Sequence, residues 1–127
     1  MSSEKIKVLI IDDERMVSKM LKGFLEDSGF NVDTASSGKE GLELLKNNSY
    51  DAAIVDFQLP DMLGDDLIIG AHELKPEVKY FIHTGSLYYT LPDDLLKIGM
   101  DSDSIIQKPV VDLNDFSRAI FKKIKKG

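Results

Sequence analysis

Four short apolar runs, spaced by helix-sized intervals, each end in a polar residue of a particular kind. Val8-Leu9-Ile10-Ile11 runs into Asp12-Asp13, Ala53-Ile54-Val55 into Asp56, Phe81-Ile82-His83 into Thr84, and Ile105-Ile106-Gln107 into Lys108-Pro109. Apolar runs of that length, alternating with helical stretches, read as strands of a parallel sheet buried on both faces. In an open parallel sheet the carboxyl ends of the strands share one edge, where ligands bind. The pattern therefore gathers acids, a hydroxyl and an amine along a single edge.

Periodicity predicts strands at Lys5–Ile11, Asn31–Ala35, Ala52–Asp56, Val78–Thr84 and Ser104–Gln107. Between the first two, Val17, Met20, Leu21, Phe24 and Leu25 recur at three- and four-residue spacing, and Gly29 stops that helix. The Ser36-Ser37-Gly38 turn leads to a second helix carrying Leu42 and Leu45 toward the sheet. Pro60 and Gly64 keep Gln58 to Gly64 a loop, so the third helix runs from Asp65 to Leu74. Leu91, Leu95, Leu96 and Ile98 predict a fourth, starting near Thr90 under the control of Pro92 and ending at Gly99. Leu113, Phe116, Ile120 and Ile124 mark one side of the last.

Five strands alternating with five helices make a doubly wound α/β sandwich of three layers. The flavodoxin-like strand order 2-1-3-4-5 sets strand 1 beside strand 3, and so Asp12 and Asp13 beside Asp56. The 127 residues fit a single domain with its core at about residues 5–126. There is no internal repeat or low-complexity segment.

Sixteen Lys and Arg against 22 Asp and Glu give a net charge of −6, which opposes non-specific binding to nucleic acid or anionic lipid. The absence of cysteine excludes disulfides, thiolate nucleophiles and thiolate metal sites. No stretch approaches the ~20 apolar residues of a membrane span, and the start lacks a signal region. The expected location is cytoplasmic.

Three clustered carboxylates repel unless a cation or proton relieves them. An oxygen-only ligand set completed by water suits Mg²⁺, with Mn²⁺ as a substitute. Such an ion neutralises charge on an incoming phosphoryl group while Asp56 supplies the attacking oxygen. Lys108 adds a point charge for the phosphoryl oxygens, and Thr84 a hydroxyl donor. Taken singly, each of these residues has an ordinary structural role as a turn former, strand end or edge residue, and Glu14 reads as first-turn decoration. Four strand ends carrying complementary groups together do not.

Other candidates read as structural. Strand alternation turns His83 to the opposite sheet face, beneath a helix. His72 belongs on a helix surface. Asp61, Asp65 and Asp66 read as a solvated helix start, and Lys122, Lys123, Lys125 and Lys126 as cations complementing a helix dipole. No Gly-rich phosphate loop follows the first strand.

With these residues in place, the chain resembles a receiver domain of two-component response regulators, of the chemotaxis-regulator type, over about Lys5 to Lys126. The matching elements are Asp12-Asp13, Asp56 with Leu59-Pro60-Asp61-Met62 and Gly64 behind it, Thr84-Gly85, Gly99 and Lys108-Pro109. The resemblance implies that Asp56 accepts a phosphoryl group from a histidine kinase, a phosphotransfer protein or a small acyl phosphate. It also implies that Asp13 and Asp56 bind Mg²⁺ directly, Asp12 through water, and Gln58 through its main-chain carbonyl. Lys108 then pairs with the phosphoryl group and Thr84 moves toward it. A cis peptide before Pro109 is implied as well. Gln58 and Ser86 fall at positions that govern how water reaches the phosphoryl group.

In one respect the chain departs from the family. Where an aromatic residue normally stands three positions before the lysine, it has Ile105. Tyr88 and Tyr89, after Thr84, are candidates for a replacement at the output surface.

The expected function is a phosphorylation-operated signalling module that assists its own phosphorylation and dephosphorylation without being a turnover enzyme. Its switched surface comprises helix 4, strand 5 and helix 5, read by a downstream effector or an appended output domain. Homodimerisation stays open, as does the choice between a stand-alone regulator and a segment of a longer one. The competing readings are a Mg²⁺-dependent phosphohydrolase with Asp56 as nucleophile and a phosphorylation-independent adaptor.

Overall fold

Within each strand, alternate residues divide the apolar core in two. The computed structural model describes residues 5–109 and 112–126. Strands β1 (Lys7–Ile11), β2 (Asn31–Ala35), β3 (Ala52–Asp56), β4 (Lys79–Thr84) and β5 (Ile105–Gln107) alternate with helices α1 (Arg15–Asp27), α2 (Gly38–Asn47), α3 (Gly64–Leu74), α4 (Asp93–Lys97) and α5 (Asn114–Lys126). The strands form one parallel sheet in the order β2-β1-β3-β4-β5. Val8 and Ile10 of β1 pack with Leu21 and Leu25 of α1 and Phe116 and Ile120 of α5. Leu9 and Ile11 pack with Leu45 of α2, Leu67 and Ile68 of α3 and Leu95 of α4. Burying one such side chain contributes about 1.5–3 kcal/mol, so both layers hold the sheet edge firmly.

Register carries the site. Ile11 lies opposite Val55 in β3, Asp56 opposite His83 in β4, and Thr84 opposite Gln107 in β5. The chemically distinct residues that follow these strands therefore emerge level with one another.

Several expected boundaries shift. β1 begins at Lys7 rather than Lys5, β4 at Lys79 rather than Val78, α3 at Gly64 rather than Asp65, and a 3-10 turn at Ser102–Ser104 precedes a β5 that starts at Ile105. The larger correction is α4, which begins at Asp93 and not near Thr90. Proline disfavours helical backbone in the residue before it, so Leu91 cannot enter the helix. Pro92 instead caps it, its carbonyl accepting from Leu95 N and Leu96 N. Gly29 and Gly99 follow α1 and α4 at φ +98° and +99°, a backbone region favouring glycine. Met20, expected on the apolar face of α1, is half exposed, while Ser18 is buried and donates to Arg15 O.

Candidate functional site

β1 and β3 end side by side, and their terminal acids meet. Asp12, Asp13 and Asp56 each offer a carboxylate oxygen, all within 4.8 Å of one another. Asp12 is 2% exposed and Asp56 is buried, whereas Asp13 faces solvent. Asp12 Oδ1 accepts from Glu14 N at 2.9 Å, tying the carboxylate to the start of α1. Its other oxygen, Oδ2, is buried without a hydrogen-bond partner.

Lys108 enters from the far end of β5. Its Nζ stands 3.1 Å from Asp56 Oδ1, 3.5 Å from Glu14 Oε1 and 3.8 Å from Asp12 Oδ2. Its backbone is tied to β4, Lys108 N donating to Thr84 O at 2.8 Å. The Lys108–Pro109 peptide is cis. Glu14, expected only to decorate the first helical turn, is thus part of the lysine's charge environment. Nothing in its sequence position distinguishes it from an ordinary helix-start acid.

One ammonium does not balance this many carboxylates. Burial pushes Asp12 up from 3.8 to about 6, aided by the Asp56 charge and opposed by the Glu14 N–H and Lys108. Asp56 is also raised by burial, with the Lys108 hydrogen bond pulling the other way and Asp13 adding repulsion. Burial alone would depress the Lys108 ammonium, but Asp12, Asp56 and Glu14 outweigh it and hold it above its ordinary value. An oxygen-only donor set, short of positive charge and with one buried oxygen lacking a partner, fits a hard divalent cation.

The loop after Asp56 folds tightly against the strand. Gly64 N donates to Phe57 O at 2.6 Å, and a Cβ on Gly64 would fall 2.5 Å from the Asp56 carbonyl oxygen. Gln58 forms a single antiparallel bridge with Leu63 and its side chain faces solvent. Asp61 does not belong to the start of α3 as expected. It reaches back 23 residues in sequence, accepting from Gly38 N and Lys39 N at 2.8 and 2.9 Å to cap α2 together with Ser37. Asp65, expected to be solvated, is half-buried and accepts from Tyr89 OH at 2.6 Å. Asp66 is exposed at the start of α3 as expected, and Asp61 is exposed where it caps α2.

Thr84 is buried at the end of β4, and its Oγ1 accepts from Ser86 N at 3.1 Å. Gln107 Nε2 forks to Thr84 O and Ser86 O at 3.0 and 2.9 Å, a clamp that sequence reading missed. Its place opposite Thr84 in the strand register is the signal that could have found it. The two tyrosines separate: Tyr88 is 91% exposed, while the ring of Tyr89 packs edge-on against Phe57 at 5.2 Å. Ile105 is a half-buried strand residue packed against the α2–α4 side of the core.

His83 lies on the α1–α5 side as strand alternation requires, its ring edge-on to Phe116 at 5.1 Å. Burial and the Lys108 charge lower its pKa to about 4. His72 is half-buried, edge-on to Tyr80. Lys122 and Lys123 do more than complement a helix dipole, pairing with Asp103 and Asp101 at 3.1 and 2.6 Å. The side chains of Lys125 and Lys126 lie outside the described residues.

Comparison with known proteins agrees with this geometry. Residues 8–121 match the family model of the response regulator receiver domain. Over 102 residues the chain is 31% identical to the cell cycle transcriptional regulator CtrA of Caulobacter vibrioides, covering 68% of this chain and 44% of that protein. Over 122 residues it is 31% identical to hybrid signal transduction histidine kinase B of Dictyostelium discoideum, covering 85% of this chain and 6% of that protein. The chain thus spans less than half the length of either relative. A CheY-like receiver domain from Methanospirillum hungatei, 32% identical, superposes with a TM-score of 0.87 over 97% of this chain and 96% of that one. Sheet order, strand-end chemistry and family model converge, and the chain belongs to the response regulator receiver domain family.

Proposed function

We propose that Asp56 is the phosphoacceptor of a two-component signalling system, with a histidine kinase or phosphotransfer protein as donor. The observation that carries this reading is the contact of Lys108 Nζ with Asp56 Oδ1 at 3.1 Å, beside three carboxylates whose oxygens lie within 4.8 Å. Asp56 presents an ionisable oxygen to phosphorus. As the Asp56 O–P bond forms, the bond from phosphorus to the donor's imidazole nitrogen breaks, and the imidazole leaves with its electron pair and takes up a proton. Lys108 then exchanges its contact with Asp56 for one with a phosphoryl oxygen, and Thr84 turns its hydroxyl to another.

Asp13 and Asp56 would hold Mg²⁺ directly, Asp12 through water, and Gln58 through its main-chain carbonyl, with Mn²⁺ as a substitute. Bound there, the ion supplies charge neutralisation to the transferring group. The side chains of Gln58 and Ser86, polar and exposed, stand where they modulate the access of water to the acyl phosphate.

The output is a change in the surface formed by α4, β5 and α5, with Tyr88 outermost, read by an effector or an appended output domain. Among the described residues no helix is long and apolar enough to cross a membrane, which agrees with a cytoplasmic site of action. Intact-mass measurement after treatment with a small acyl phosphate tests the reading. One phosphoryl mass should be added in Mg²⁺, and none in chelator or in Asp56→Asn. Sustained turnover of phosphomonoesters would instead identify a phosphohydrolase.

A further inference from the structure

The segment joining β4 to α4 is fastened at both ends. At its start, Ser86 is held by Thr84 Oγ1 through its N–H and by the Gln107 side chain through its carbonyl. At Tyr89, the phenol donates to Asp65 in the first turn of α3, and the ring lies on Phe57, the residue after Asp56. Between the fastenings stand only Leu87 and Tyr88, both exposed, with Tyr88 N bonded to Ser86 Oγ. A segment this short, hydrogen-bonded within itself, passes a displacement of Ser86 on to Tyr89.

We propose that the Tyr89–Asp65 hydrogen bond is a latch, which holds the β4–α4 segment against the loop after Asp56 in the unmodified protein and opens when Thr84 turns toward a phosphoryl group on Asp56. This rests on the acceptor reading above. A hydroxyl can donate to the phosphoryl oxygen and still accept from Ser86 N. It can do both only if Ser86 follows Oγ1 as the Thr84 side chain rotates. That movement pulls against the fastening at α3, because Asp65 sits on a helix packed into the core through Leu67 and Ile68. Among the described residues the phenol–carboxylate bond is the single polar link on that side, so it yields. Tyr89 is also the aromatic ring in contact with the acceptor loop, whereas the β5 position that faces the same side of the sheet carries the aliphatic Ile105. Tyr89 is accordingly a positioning residue that couples the two loops, and Tyr88 is the group whose presentation changes.

Hydrogen–deuterium exchange on the whole chain tests the latch, with intact mass read on the same samples. Tyr89→Phe keeps the ring and removes the bond, and Asp65→Asn keeps an acceptor oxygen while removing its charge. In the unmodified protein, Tyr89→Phe should speed exchange at the amides of residues 87–91 about tenfold, the scale of losing a hydrogen bond to a charged group, with the amides of β1 and β3 unchanged. Asp65→Asn should give a smaller increase in the same segment. Wild type should show the Tyr89→Phe rate once phosphorylated, and Tyr89→Phe should show no further increase. Unaltered exchange in Tyr89→Phe overturns the proposal. So does wild type that carries the phosphoryl mass yet exchanges residues 87–91 as before, which leaves the acceptor reading standing. Wild type that gains no phosphoryl mass in Mg²⁺ ends the acceptor reading and the coupling together.

Discussion

Replacing Asp12 by Asn should make the metal-free protein more stable and the metal-bound protein less so. Asp12 is almost fully buried, and its Oδ1 accepts from Glu14 N, a bond that an asparagine oxygen can keep. What the substitution removes is a charge that the fold tolerates poorly. Burial raises Asp12 from 3.8 to about 6, which corresponds to about 3 kcal/mol of native-state cost when the group is ionised. Relaxation and water penetration reduce this, so a gain of about 1–3 kcal/mol is expected near neutral pH. The figure is already net of the attraction to Lys108 at 3.8 Å.

The sign follows from linkage. A carboxyl whose folded pKa lies above its unfolded value favours the native state fully below 3.8, and that contribution is lost as pH rises through about 6. Asp12→Asn should therefore match wild type near pH 3.8 and exceed it increasingly up to about pH 7.5. Urea denaturation in chelator across that range measures the difference, with unchanged m-values showing that the unfolded state is not responsible. Excess Mg²⁺ should then reverse the order. A ligand at about a thousand times its Kd adds about 4.1 kcal/mol to the wild type, more than the gain from the substitution, and the variant should gain much less. An Asp12→Asn protein less stable than wild type in chelator at neutral pH, or a gain independent of pH, would refute the reasoning.

His83→Phe should flatten the acid limb of the stability profile. The His83 pKa falls from 6.5 in the unfolded chain to about 4 when folded, so its contribution is complete above 6.5 and declines as pH drops toward 4. The unfolding free energy of wild type in urea should fall relative to the variant by about 2–3 kcal/mol at about pH 4.5. Gly64→Ala places a Cβ 2.5 Å from the Asp56 carbonyl oxygen and 2.9 Å from Ile82 Cδ1; a loss of about 1–3 kcal/mol by thermal denaturation, with slower uptake of phosphoryl mass, is expected. Asp61→Ala removes the acceptor of two α2 amides and should lower the urea midpoint, leaving the extent of Asp56 phosphorylation unchanged.

The parts of this molecule legible in the sequence are those set by period or by strand ends. Burial on both faces writes β1, β3 and β4 as continuous apolar runs, and parallel register then forces their ends level, which is why the sequence alone groups Asp12, Asp13, Asp56, Thr84 and Lys108. The boundaries of α4 were not legible because the spacing of Leu91, Leu95 and Ile98 imitates a helix, while the backbone restriction imposed by Pro92 on Leu91 overrides it. Nor were the contacts that close the loops. Asp61 capping α2 across 23 residues, Gln107 bridging Thr84 and Ser86, and Tyr89 reaching Asp65 are side-chain meetings with no periodic trace. They become visible only once the strand order has fixed which loops are neighbours.

Among the described residues, the buried side-chain polar atoms without a hydrogen-bond partner are Asp12 Oδ2 and His83 Nε2, and both belong to residues whose pKa values respond to the charge of Lys108. The two differ in consequence. A neutral imidazole edge-on to Phe116 has an aromatic neighbour and carries no charge at neutral pH, so its orphan nitrogen costs little. A carboxylate oxygen in the same position is costly, since burying a charge is unfavourable unless it is paired. A fold that caps α2 twice over and ties its loops with forked amides has not failed at Asp12 for want of donors. Lys108 at 3.8 Å offsets the Asp12 charge only in part, so the acid stays raised beside Asp56, and the oxygen donors gathered there fit a hard divalent cation.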